Sequence, residues 1–152
     1  MVEDALEYLV SSGFSLHAEG RWLTGGAVQI FYHSLLVEQL IVPRSEWAVL
    51  ALLMEAAKSA ETGHRAAGFV PTNKLAMELQ RRAGLGGGDP ENLHRVIMKL
   101  RDRLTGGAAQ ELAVLKELAW DRDVVEKHPT LGYRLSLPPE AMQLMLLNEE
   151  GC

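Results

Sequence analysis

A chain of 152 residues, 47% of them hydrophobic, is long and apolar enough to bury a core as one compact domain, which excludes general disorder. The formal net charge of −5 weighs against nucleic-acid binding by the surface as a whole, and the one cysteine, Cys152, leaves no internal disulfide to form. No apolar run reaches the length of a membrane span, and Met1-Val2-Glu3-Asp4 lacks the positive charge of a secretory signal, so a cytoplasmic location with no membrane partner is expected.

Residues 1–13 suit a short N-terminal helix, with Ala5, Leu6, Leu9 and Val10 on one side and Ser11-Ser12-Gly13 as its stop. Over 14–42 the pattern changes to short runs rich in β-branched and aromatic residues, at 14–17, 21–23, 27–33 and 35–42. Glu19-Gly20 and Thr24-Gly25-Gly26 punctuate them as turns, which predicts a small antiparallel sheet. Pro43-Arg44-Ser45 then opens a helix. Ser45 is placed to cap its free N–H groups, Glu46 suits its positive end, and Trp47, Leu50, Leu53, Met54 and Ala57 supply a buried face. Thr62-Gly63-His64 lies in the exit loop. A second helix starts at Thr72 after Pro71, with Leu75, Ala76 and Leu79 inward.

The run Gly84-Leu85-Gly86-Gly87-Gly88 ends that helix. It lacks the Gly-Lys-Ser/Thr ending of a phosphate loop and follows a helix rather than a strand, so it reads as a flexible turn. Asp89-Pro90 opens a third helix with a capping side chain and a proline at the first helical position, and Thr105-Gly106-Gly107 closes it. Residues 108–119 suit another short helix with Leu112, Leu115 and Leu118 apolar. A β-hairpin follows over 124–135, turning at His128-Pro129-Thr130. Pro138-Pro139 ends its second strand, and 138–152 is expected as a helical tail, unusually apolar over 140–147. That tail is expected to dock on the core; the alternative is a homodimer through 139–147.

At 100° per residue, Leu93, Val96, Ile97, Leu100 and Leu104 fall on one stripe of the third helix. Arg95, Met98, Lys99 and Asp102 fall opposite. His94 and Arg101 flank the stripe on one side, and Asn92 and Arg103 on the other. Residues 62–104 hold 8 basic and 4 acidic side chains, while 1–61 hold 3 and 8, and 105–152 hold 4 and 8. The positive charge thus gathers on the segment containing this helix. Arginine and lysine on an exposed helix supply phosphate contacts and guanine readout. The bland alternative is a solvated face whose long stems cover the core. The hairpin adds Lys127, His128 and Arg134 within reach of a DNA backbone or minor groove.

Order and spacing of these pieces resemble the C-terminal effector domain of OmpR/PhoB-type response regulators. Ser45-Glu46-Trp47-Ala48-Val49-Leu50 is similar to the start of that family's first helix. Ile97-Met98-Lys99-Leu100-Arg101-Asp102-Arg103-Leu104 resembles the end of its recognition helix, and Gly132-Tyr133-Arg134-Leu135 the second strand of its wing. With the sheet over 14–42, the resemblance covers most of the chain. It implies an α+β winged helix-turn-helix: an N-terminal antiparallel sheet, a three-helix core over 43–137 and a C-terminal hairpin wing. It also implies DNA contact by Lys99 and Arg101, and contact with RNA polymerase through the 83–89 loop. Met98 stands at a family contact position without a charge. Pro129 stands where the family commonly has an arginine, and 105–123 is longer than the usual link to the wing.

The expected function is therefore sequence-specific binding of double-stranded DNA by a bacterial-type transcriptional regulator. Helix 90–104 would lie in the major groove, with hairpin 124–135 on the backbone or minor groove. His94, Arg95 and Lys99 are the expected base contacts, with Met98 beside them. Arg101, Arg103, Lys127, His128 and Arg134 are the expected backbone contacts. The rival is a winged helix that serves protein interaction instead. His17, His33, His64, His94 and His128 lack metal-ligand spacing, and no nucleophile arrangement appears, so no metal, cofactor or enzymatic activity is expected. No receiver domain, and so no phosphoacceptor aspartate, is expected within the chain.

Overall fold

A computed structural model of the chain describes residues 13–59, 68–84, 90–117, 120, 124–137 and 139–147. In chain order its elements are β1 (Phe14–Arg21), β2 (Gly25–Tyr32), β3 (Leu35–Val42), α1 (Arg44–Ser59), α2 (Thr72–Ala83), α3 (Pro90–Thr105), α4 (Ala108–Lys116), β4 (Val125–His128), β5 (Gly132–Leu135), a single 3-10 turn (Pro139–Ala141) and β6 (Met142–Leu146). The described residues thus make an α+β protein with four helices, a mixed four-stranded sheet and a two-stranded sheet. The helix expected over 1–13 lies outside the described residues, apart from Gly13. No described helix is long and apolar enough to cross a membrane.

The four-stranded sheet has the order β3-β2-β1-β6. β1 alternates strictly, burying Phe14, Leu16 and Ala18 against the helices and exposing His17 and Glu19. The strand runs straight through Glu19-Gly20, where the sequence suggested a turn. Gly20 pairs with Gly26, and a β-carbon on it would lie 2.7 Å from the Trp47 ring. The glycine therefore permits a close approach of backbone to indole instead of a reversal. The β2–β3 reversal falls on His33 and Ser34, both with positive φ (47° and 71°), the conformation that matches the twist of a tight hairpin.

α1 packs across this sheet and is buried on almost all sides, from Glu46 through Met54. It begins at Arg44, with the Trp47 N–H donating to the Pro43 carbonyl, so Ser45 lies inside the first turn and not at its cap. α2 starts at Thr72 and buries Leu75, Leu79 and Ala83. α3 buries Leu93, Ile97, Leu100 and Leu104, as the stripe requires, with Val96 half-buried. α4 departs from expectation: Ala109 and Ala113 turn inward and Leu115 is 81% exposed. The small side chains allow α4 to lie close to β3, where the Ala109 N–H donates to the Glu38 carboxylate at 3.0 Å. Trp120 fills the space beneath, its indole N–H donating to the Leu104 carbonyl and its ring 5.0 Å from Phe14.

The expected helical tail is also corrected. Residues 142–146 form β6, parallel to β1, with Leu16 opposite Met142 and Gly20 opposite Leu146. Met142 is buried and Leu144 half-buried, while Gln143 and Met145 are exposed. That alternation of period two suits a strand and not a helix. Docking on the core holds, through a different secondary structure, and the sheet expected as antiparallel becomes mixed.

Candidate nucleic-acid interface

The hairpin β4–β5 pairs Val125 with Leu135 and His128 with Gly132. β5 is its inner strand, because Tyr133 also bridges to Val70 on the side away from β4. The Val70 N–H donates to the Tyr133 carbonyl at 2.8 Å and the Tyr133 N–H returns the bond at 3.1 Å. Gly132 has φ +101°, and a β-carbon on it would collide with the Val70 carbonyl, so glycine is required for the Val70–Tyr133 bridge to close. The tip is shaped by His128, whose Nδ1 accepts the N–H groups of Thr130 and Leu131, both at 3.1 Å. A ring nitrogen in that role carries its proton on Nε2.

Each side of α3 meets something different. Its apolar stripe faces the core. His94 and Arg101, seven residues apart and so on one flank, face the hairpin. His94 Nδ1 lies 3.3 Å from the Tyr133 hydroxyl, and Arg101 donates to the Val125 carbonyl at 2.6 Å. On the other flank, Arg103 donates to the buried Glu46 carboxylate at 2.5 Å from Nε and 3.2 Å from Nη2. The remaining side carries Arg95 and Lys99, both exposed, with half-buried Met98 and exposed Asp102. Lys127 stands exposed on β4, its Nζ 6.0 Å from the Tyr133 ring.

These positions divide the nine expected contact residues. Arg95, Met98, Lys99 and Lys127 lie on the outer side of helix or hairpin, whereas His128 is half-buried on the opposite face of the hairpin, its ring 5.7 Å from that of Phe69. His94 and Arg101 brace helix against hairpin. Arg103 and Arg134, expected at the backbone, are engaged by Glu46 and Glu126 within the protein. Arg134 is 3% exposed, pairs with Glu126 at 3.0 Å and lies 4.4 Å over the Phe69 ring. Its burial follows from packing between Phe69 and Glu126, with β5 held on its other side by the Val70 bridge. The Glu126–Arg134 pairing was available to register arithmetic, since a three-residue turn between His128 and Gly132 sets the two directly opposite. Phe69 and Val70 carry no local signal, and Glu46 reads only as a favourable charge at a helix start, because each acts through a contact distant in sequence. Of the 83–89 loop only Ala83 and Gly84 are described, so the expected polymerase contact lies almost wholly outside the described residues.

Among the described residues no group of three or more histidine, cysteine, aspartate or glutamate side chains is placed to hold a metal ion. Compared with protein-family models, with curated proteins and with solved structures, the chain matches none.

Proposed function

We propose that the chain is a winged-helix DNA-binding protein of the transcriptional-regulator kind, with α3 as recognition helix and β4–β5 as wing. One observation carries this reading. α3 is braced on both flanks, by the hairpin through His94 and Arg101 and by α1 through Arg103, and the side left outward presents Arg95 and Lys99. A rigid helix with a basic outer ridge suits insertion in a major groove, and Lys127 with the His128 turn suits the adjoining backbone. Double-stranded DNA is the partner in this reading, the cytoplasm the location, and no catalytic activity is invoked.

Binding to random duplex DNA across a salt series tests it. Affinity should fall steeply, with a log–log slope of roughly −0.9 per phosphate neutralised. Charge reversal at Lys127, the outward backbone contact, should reduce that slope by about one, while alanine at Arg95 or Lys99 should weaken binding to the preferred site by about 1–3 kcal/mol and relax its specificity. No binding at low salt would reject the DNA reading and leave a winged helix used for protein interaction. That second reading draws on Asp102 within the outer ridge and on Val114 and Leu115, exposed side by side on α4.

A further inference from the structure

Every backbone N–H within the β4–β5 turn ends on one ring nitrogen. His128–Gly132 is the last pair of the ladder, so residues 129–131 turn the chain. Pro129 has no N–H to give, and those of Thr130 and Leu131 both donate to His128 Nδ1 at 3.1 Å. The Thr130 hydroxyl lies 3.2 Å from the same nitrogen. A side-chain acceptor thus stands where asparagine or aspartate gathers the amides of other turns.

This acceptor is a single lone pair, and it exists only while the ring is neutral with its proton on Nε2. A second proton has to go to Nδ1, where it faces two backbone N–H groups. The Thr130 hydroxyl is different, because it can rotate and accept where it had donated. Pro129 and Thr130 are exposed, so water is at hand for the released amides. Among the described residues, the charged groups on the ring's face of the hairpin are Glu126 on β4 and Arg134 on β5, paired with each other at 3.0 Å. Lys127 stands on the opposite face, and the packed segment at 68–70 brings the uncharged Phe69 ring, 5.7 Å away.

We propose that His128 is a protonation switch in the tip of the hairpin. Neutral, the ring gathers both turn amides and fixes the tip. Protonated, it releases them and donates to the Thr130 hydroxyl. The β4–β5 ladder and the Val70–Tyr133 bridge rest on backbone bonds and keep their pairing in both states, so the change is confined to the tip. In the DNA reading this tip adjoins Lys127, and the switch would set the reach of the wing. The proposal itself does not depend on that reading, and its test contains no DNA.

Nuclear magnetic resonance of the full, unsubstituted chain tests it, from about pH 8 to about pH 5, the range in which histidine side chains ordinarily change charge. At the alkaline end the His128 ring nitrogens should report the Nε2–H tautomer. The Thr130 and Leu131 amide protons should then move upfield with the same midpoint as the ring. Their exchange, corrected for its intrinsic pH dependence, should quicken by roughly tenfold or more as two hydrogen bonds are lost. The Tyr133 amide should not respond. His128→Asn sets an oxygen where Nδ1 stands, an acceptor that does not titrate, and should hold the Thr130 amide at every pH. An Nδ1–H tautomer at the alkaline end would overturn the proposal. So would turn amides that ignore the titration of the ring, or a pH response that persists in His128→Asn.

Discussion

Glu46 and Arg103 fasten the first turn of α1 to the last turn of α3. The Glu46 side chain is 5% exposed and accepts both bonds of the guanidinium, whose pKa is raised above its ordinary value by that carboxylate. Because α1 is the buried centre of the molecule, this pair fixes the rotation of α3 about its own axis. Arg95 and Lys99 face outward as a result.

Removing one partner should therefore cost more than the pair is worth. Arg103→Ala leaves the Glu46 carboxylate buried and uncompensated, and urea unfolding should show a loss of about 3 kcal/mol. Arg103→Met combined with Glu46→Leu should recover most of that loss. If Arg103→Ala costs less than about 0.5 kcal/mol, the level of an ordinary surface change, the pair does not hold α3.

Two basic residues of the candidate interface, Lys99 on α3 and Arg134 on β5, should separate binding from folding. Lys99→Ala should change stability by no more than about 0.5 kcal/mol while weakening DNA binding. Arg134→Ala should lower stability by about 2 to 3 kcal/mol, because it strands Glu126 and empties the space over Phe69. Paired denaturation and DNA titrations on both variants check this. Equal stability losses would show that Lys99 is also structural.

Gly132→Ala should cost at least about 1 to 3 kcal/mol, since the residue needs a positive φ and its new β-carbon would meet the Val70 carbonyl. The loss should appear as faster hydrogen exchange at the Val70 and Tyr133 amides, which bond each other across that contact. Unchanged exchange would place the damage elsewhere.

Burial pushes the Tyr133 hydroxyl above its ordinary value of 10.0, against a smaller opposing pull from Arg101. The folded chain thus holds this proton more tightly than the unfolded chain. Its contribution to stability is whole below about pH 10 and is lost as pH rises from there through the folded value. Tyr133→Phe should flatten that alkaline decline, read as the midpoint of urea unfolding across a pH series. An alkaline slope identical to that of the unsubstituted chain would reject the assignment.

The elements legible in the sequence are those whose signals are local. Pro71-Thr72, the apolar stripe of α3 and the glycines after Thr105 mark helices where they occur, and a hairpin forms within 124–135, although its turn falls on 129–131, one residue later than expected, with His128 still paired in β4. The failures have a shared cause. Gly20, Ala113 and Leu144 owe their places to neighbours far along the chain: Trp47, β3 and β1. A glycine held for close approach looks like a turn, and a short apolar run looks helical until another strand claims it. The candidate site divides in the same way. The outward ridge of α3 follows from helical spacing alone. That Arg103 and Arg134 are tied inward needed the positions of Glu46 and β5.

Leu16 and Met142 lie side by side although they come from opposite ends of the chain. During synthesis β1, β2 and β3 leave the ribosome before the four described helices and wait, with one flank of β1 unoccupied, while those helices are made. The β1–β6 register forms only after residues 142–146 emerge. A contact this long in sequence is slow to find, so the final closure is expected to set the pace of folding. Nascent chains stalled before Met142 are then the species most in need of a chaperone.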